Sequence, residues 1–213
     1  MKIHYLNTSD LKLNTENLIV GDKVFLSGTV YTARDAAHGR IMQMLNNNES
    51  LPFEINGASI YYAGPTPSPN GLAIGSCGPT TSGRMDSYSP ALLDLGLCCM
   101  IGKGERNSNV CDAIIRNKAV YLCAIGGAGA LASKCIISCE VIAFEDLGCE
   151  SIKKLQFKDS AFFLVSYDNT KLSKFKDYED NIEMMKFIQY VNSNMINEGS
   201  IELKLTFSAN IKT

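Results

Sequence analysis

Arginine is scarce in this chain: five occur among twenty Lys plus Arg, and four of them, Arg34, Arg40, Arg84 and Arg106, lie in or beside a loop-rich first half. A guanidinium presents a planar fork of donors that grips a carboxylate or phosphate through two bonds at once, which a lysine ammonium cannot do. Arg34 stands in TVYTARD, at the junction of an expected strand and helix, and Arg84 in GPTTSGRMD. Each arginine either grips an anion or makes a structural ion pair with Asp35 or Asp86. Position favours anion binding for Arg34 and Arg84, and a structural pair for Arg40 and Arg106. Residues 75–86 (GSCGPTTSGRMD) gather three glycines, a proline, four hydroxyls and Arg84 in one loop, enough to turn backbone N–H groups, hydroxyls and a guanidinium toward one anion. Gly102-Lys103-Gly104 follows an apolar strand, which puts a cation at the strand end where α/β proteins bind ligands; a solvated turn lysine is the plainer reading. His38 falls one helical turn after Arg34 and either faces the same pocket or is an ordinary helix-surface or core histidine. Gly127-Ala128-Gly129-Ala130-Leu131-Ala132 matches a dinucleotide fingerprint, but only Ser133 and Lys134 separate it from the next apolar run. No crossover helix fits there, so nucleotide binding is not expected.

These residues need elements to hold them. Residues 22–30 (DKVFLSGTV) read as a strand after a polar leader, and residues 33–45 as a helix with Thr32 as N-cap and Ala36, Ala37, Ile41, Met44 and Leu45 at helical spacing. Residues 59–63 form a second strand, and 64–71 (GPTPSPNG) can only be loop. All six prolines fall between Pro52 and Pro90, so the middle of the chain is built of stiff loops. Beyond it, 97–101 and 119–125 read as buried strands around a helix at 109–116, with 126–133 as turn. Further strands are expected at 135–144, 151–157 and 161–166. From Tyr178, Ile182, Met185, Ile188, Val191 and Met195 give a helical stripe, followed by a possible strand at 201–207.

The 213 residues suit one large domain with an appendage, and a net charge of -2 gives no reason to expect a nucleic-acid or membrane-surface partner. The N-terminus lacks the apolar run of a signal peptide, and no uncharged run is long enough to span a bilayer. Eight cysteines sit mostly within apolar stretches, without any C-x-x-C, as buried thiols do in a reducing, cytoplasmic setting; no metal site is expected within the chain.

The segments SGTVYTARDAAH (27–38), GPTP (64–67), IGSCGPTTSGRMD (74–86), GKG (102–104), GGA (126–128) and EDLG (145–148), in this order over residues 18–167, resemble the β subunit, or C-terminal domain, of class I iron–sulfur fumarate hydratases and of L-tartrate dehydratases. The resemblance implies a swivelling β/β/α domain, a small open barrel or sandwich of strands flanked by helices, over residues 1–175. Residues 176–213 would then be a C-terminal extension of helix and polar tail. It also implies a 4Fe–4S cluster held by a partner α subunit and not by this chain, in an α2β2 assembly. There the unligated iron would bind substrate carboxylate and hydroxyl. Carried over by position, Arg34, Arg84 and Lys103 would grip the carboxylates of a C4 dicarboxylate with Thr81 beside them, and Thr80 would handle the C3 proton. Asp35 and His38 would position Arg34, and Asp86 would position Arg84. The implied activity is reversible hydration of fumarate to L-malate. L-tartrate dehydration and a dicarboxylate-binding module without catalysis are the alternatives.

Overall fold

Three short strands whose residues are buried on both faces organise the molecule. In the computed structural model, which describes residues 2–69 and 71–165, the strands are β1 (Ile3–Asn7), β2 (Lys23–Thr32), β3 (Ser59–Tyr61), β4 (Cys99–Gly102), β5 (Val120–Cys123), β6 (Ile136–Ala143) and β7 (Ile152–Val165). The helices are α1 (Leu11–Asn14), α2 (Asp35–Asn46), α3 (Ser89–Asp94), α4 (Ser108–Arg116) and α5 (Gly129–Lys134). Alternate residues of β3 to β5 feed two cores, because successive side chains of a strand point to opposite faces. Ile60, Met100 and Tyr121 pack against Ala37 and Ile41 of α2, Leu92 of α3 and Val110 and Ile114 of α4. Tyr61, Ile101 and Leu122 pack against Val24, Leu26 and Val30 of β2 and Leu155 and Phe157 of β7. Burial on both faces is why these strands read as continuous apolar runs.

The sheet is mixed, in the order β1-β2-β3-β4-β5-β7-β6, with β7 also pairing back on β2. Strands β1 to β5 run parallel, and β7 is antiparallel to β2, β5 and β6. The expected α/β class is therefore met as a seven-stranded sheet flanked by helices, not as a closed barrel. The expected helix and strand beyond Tyr178, and the boundary at residue 175, lie outside the described residues.

Four local expectations need correction. The two strands expected at 151–157 and 161–166 are one strand, Ile152–Val165. The polar Lys158-Asp159 break is absorbed as a bulge opposite Ser27, with Asp159 at φ 48° and its N–H donating to Ser27 Oγ at 2.9 Å. Residues 129–134, expected as turn, form α5. Residues 89–94, in the proline-rich stretch, form α3 with Pro90 in its first turn, where a missing N–H costs nothing. Thr32 does not cap α2: its Oγ1 donates to Ser151 O at 3.2 Å and accepts from Lys153 N at 3.0 Å. Arg34 occupies the N-cap position without a side-chain cap bond, and the acceptor arrives from far along the chain, as Ala36 N donates to Glu150 Oε2 at 3.2 Å.

The polar leader holds β1, pinned by one carboxylate. Asp22 is 2% exposed and accepts from Lys2 N at 2.8 Å, His4 Nε2 at 2.8 Å and Ile19 N at 3.2 Å. Burial alone would raise its pKa, but these hydrogen bonds outweigh burial and hold it below 3.8. A depressed carboxylate stabilises the fold above its unfolded pKa, and that contribution is lost as pH falls through the folded pKa. Asp22→Asn should thus cost about 1–3 kcal/mol near neutral pH. The gap between variant and wild type should close as pH drops below about 4, read as urea midpoints on either side of that range.

Candidate active site

The register of the parallel strands fixes where the site residues emerge. Thr32 pairs with Tyr61, Tyr61 with Ile101 and Ile101 with Leu122. Arg34 and Lys103 each follow this level by two residues, so they leave the same C-terminal sheet edge on β2 and β4, with β3 between them and backbones about 10 Å from each other. Such edges are where ligands bind in parallel α/β sheets.

Residues 79–82 fill the fork between the continuations of β3 and β4. Thr80 N donates to Tyr62 O at 2.7 Å, and Ser82 N donates to Lys103 O at 2.8 Å. Bridges join Ala63 to Pro79 and Thr81 to Lys103. Thr80 is half-buried, and Thr81, paired with Lys103, is exposed. Between them and the core, Ser82 is buried with its Oγ 2.8 Å from Tyr121 Oη, while Tyr121 Oη donates to Gly104 O at 2.8 Å. With Tyr121's proton committed to Gly104, Ser82 is the donor of the first bond. Residue 102 must be glycine for this to pack, since a Cβ there would stand 2.0 Å from Ser82 Oγ.

At the start of α2 the charges are arranged differently from the sequence expectation. Arg84, in the 3-10 turn Ser82–Met85, donates from Nε to Asp35 Oδ1 at 2.9 Å, and its side chain is 50% exposed. Asp35 therefore orients Arg84, not Arg34. Asp86 does not reach Arg84; it accepts from Arg106 Nε at 2.7 Å and from Asn107 N at 2.7 Å. Arg106 is fully buried, lies between the Tyr62 and Tyr121 rings and donates from Nη2 to Ser89 Oγ at 2.6 Å. Arg40 is held on the surface by both oxygens of Asp146, and Arg116 likewise by Asp94. Arg40 and Arg106 thus make the structural pairs expected of them, while Arg84 pairs with Asp35 and Arg34 with Glu150.

Arg34 is the least satisfied of the five. Its Nε is buried without a hydrogen-bond partner, and its nearest charge is Glu150, 3.4 Å from Nη2. It lies flat on Gly64, where a Cβ would stand 2.6 Å from Nη1. Beside it, Asp35 Oδ2 is also buried and unpartnered. His38 is fully buried between Tyr62 and Tyr88. Its Nδ1 lies 2.9 Å from Arg34 O, and since a carbonyl only accepts, Nδ1 carries the proton. Burial first, then the Arg106 charge, push His38 down to about 4 against the pull of the Arg34 carbonyl. It is a buried, neutral histidine bonded to the Arg34 carbonyl and does not titrate near neutral pH.

Glu150 was missed. Its signal was an acid closing the EDLG turn, but its partner lies 114 residues away, at Ala36. A cleft of about 260 Å3 lies behind Gly64, lined by Pro65, Ile74, Cys139, Cys149 and Lys153, among others. Thr80, Arg84 and Lys103 do not line it. Cys77, inside the loop, is buried and its thiol is pushed up to about 12 by burial, which makes it packing and not a nucleophile.

A family model described as Fumarase C-terminus matches residues 2–177. The chain belongs to the fumarase C-terminus family. It is 42% identical over 155 residues to fumarate hydratase 2 of Leishmania major, covering 70% of this chain and 27% of that protein. It is 43% identical over 149 residues to the aerobic class I fumarate hydratase of Escherichia coli (strain K12), covering 68% of this chain and 27% of that protein. With the L(+)-tartrate dehydratase subunit beta of the same strain it is 30% identical over 157 residues, covering 72% of this chain and 77% of that subunit. The chain thus spans about a quarter of the length of the fumarate hydratases it matches. In this fumarase C-terminus domain no helix among the described residues is long and apolar enough to cross a membrane.

Proposed function

We propose that this chain supplies one side of a hydro-lyase site that reversibly hydrates a C4 dicarboxylate, fumarate to L-malate, with a cluster-bearing α subunit supplying the other. The observation that carries the reading is the state of the arginines. Arg40 and Arg116 are each held by two bonds to one acid and Arg106 is buried against Asp86. Arg84, by contrast, spends only Nε on Asp35, and Arg34 meets Glu150 at 3.4 Å without a hydrogen bond, so both keep donors to spare. Lys103 follows β4 beside Thr81. Two forks and an ammonium on separate loops suit a ligand with a carboxylate at each end.

The chemistry follows from charge. Taking a proton from the carbon beside a carboxylate moves negative charge onto the carboxylate oxygens, and cations already in place stabilise it without reorganising. Thr80, bonded through its N–H to Tyr62 O and adjoining Thr81, the bridge partner of Lys103, is the residue to carry that proton, with Thr81 contacting substrate. A threonine hydroxyl is a poor base, and it acts only where neighbouring cations stabilise its alkoxide. The described residues of this chain offer no ligand set for a 4Fe–4S cluster: no three His, Cys, Asp or Glu side chains among them converge as a metal would need. In this reading the cluster belongs to the α subunit, in an α2β2 assembly in the reducing cytoplasm.

L-tartrate dehydration is the second reading, favoured by a match that extends over 77% of a tartrate dehydratase β subunit. Anaerobic co-expression with the α subunit of the same organism tests both, using fumarate, L-malate and L-tartrate. The complex should hydrate fumarate and the chain alone should not. Turnover by the chain alone would remove the two-subunit reading. Turnover of tartrate only would move the assignment to the second reading, and no turnover of any substrate would leave a binding module.

A further inference from the structure

Glu150 meets Arg34 without consuming it. At 3.4 Å the contact is an ion pair without hydrogen-bond geometry, unlike the paired N–H···O bonds that hold Arg40 and Arg116. A charge at that distance limits where the guanidinium can point, yet leaves its fork open to an incoming carboxylate. Glu150 is itself held from two sides. Its Oε2 accepts from Ala36 N, and the turn that carries it is tied by Lys153, whose Nζ donates to Gly148 O at 2.9 Å and to Ser151 Oγ at 2.6 Å. Thr32, two residues before Arg34, closes the circuit through Ser151 O and Lys153 N. Every group in the circuit is anchored to the backbone that presents Arg34 or to the strand beside it.

We infer that Glu150 is the positioning residue that aims Arg34 at a substrate carboxylate, held in place by the Thr32, Ser151 and Lys153 bonds. This rests on the reading of Arg34 as a carboxylate grip. An arginine free in solution samples many rotamers, and ordering it beforehand spares a bound dicarboxylate that cost, worth about tenfold in KM. The effect acts on substrate and transition state alike, so it falls on KM and not on kcat.

Two measurements decide it. In the full-length chain with isotope-labelled arginine, the Arg34 Nε–H signal is identified by its loss in Arg34→Lys. In wild type this buried group should exchange slowly with water. In Glu150→Gln, which keeps the length and an acceptor for Ala36 N, it should exchange at least about tenfold faster, with the other arginine signals unmoved. An unchanged Arg34 signal overturns the inference, and the unmoved signals exclude general unfolding as the cause. In the reconstituted complex, Glu150→Gln should raise KM for fumarate about tenfold with kcat near wild type. It should add nothing when Arg34 is already alanine; full additivity in that double variant also overturns the inference. A wild-type complex that turned over no dicarboxylate would defeat the proposed function, while the exchange measurement would still report whether Glu150 holds Arg34.

Discussion

Alanine in place of Arg84 should lower kcat/KM for fumarate by about a thousandfold in the reconstituted complex, with the melting temperature of the chain nearly unchanged. The size follows from losing two charge-assisted N–H···O bonds to one carboxylate, each worth about 1.5–3 kcal/mol, which together correspond to two to four orders of magnitude in rate. The small effect on stability follows from exposure. The Arg84–Asp35 pair has side chains 50% and 31% exposed, and solvent-screened pairs contribute little to folding. Removing Arg84 also leaves the Asp35 carboxylate uncompensated beside the site, which repels an anionic substrate and adds to the loss. Arg84→Lys restores the charge but not the fork and should recover only part of the rate. Arg40→Ala is the matched control, because Arg40 is spent on Asp146 at the surface; its rate should stay near wild type. Arg84→Ala at near-wild-type rate would remove Arg84 from the clamp.

What the sequence made legible divides along the range of the forces involved. The buried strands at β4 and β5 and the helices α2 and α4 declare themselves through local apolar pattern, and the register of those strands then brings Arg34 and Lys103 to one edge. Arginine scarcity was informative because a guanidinium is chosen for geometry that lysine cannot supply. Apart from the short helices α3 and α5, the failures are long-range. β1 is an edge strand exposing Ile3 and Tyr5, so it lacks the burial that makes alternation visible. β7 reads as two strands because the bulge at Asp159 is stabilised by Ser27 across the sheet. Thr32 has the right residue type and place for an N-cap, yet two bonds to the 151–153 backbone recruit its hydroxyl and leave α2 to be capped by Glu150. Asp35 and Asp86 show the same limit: sequence adjacency to an arginine says little when the helix and the 3-10 turn face each other.

Loss of the Asp86 carboxylate should destabilise the chain more than any change at the exposed clamp. Asp86→Ala takes from Arg106, whose side chain is 0% exposed, the carboxylate it donates to at 2.7 Å, and breaking a buried ion pair from one side typically costs about 3–5 kcal/mol. It also frees Asn107 N at the start of α4 from its acceptor. For a domain of this size the melting temperature should fall by roughly 10 °C or more. The damage should reach the site, because Arg106 lies against Tyr62 and Tyr121, and those two residues hold Thr80 through the Tyr62 carbonyl and Ser82 through the Tyr121 hydroxyl. Fumarate turnover by the complex should therefore fall even below the melting range, which a purely global loss of stability would not produce. The double variant Asp86→Leu with Arg106→Met removes both charges and should recover a large part of the lost stability, since the penalty comes from breaking a buried pair on one side only. Recovery of stability without recovery of turnover would show that the pair is retained to hold residues 79–82 in the fork between β3 and β4. A double variant as unstable as Asp86→Ala would instead place the cost in the Asn107 contact.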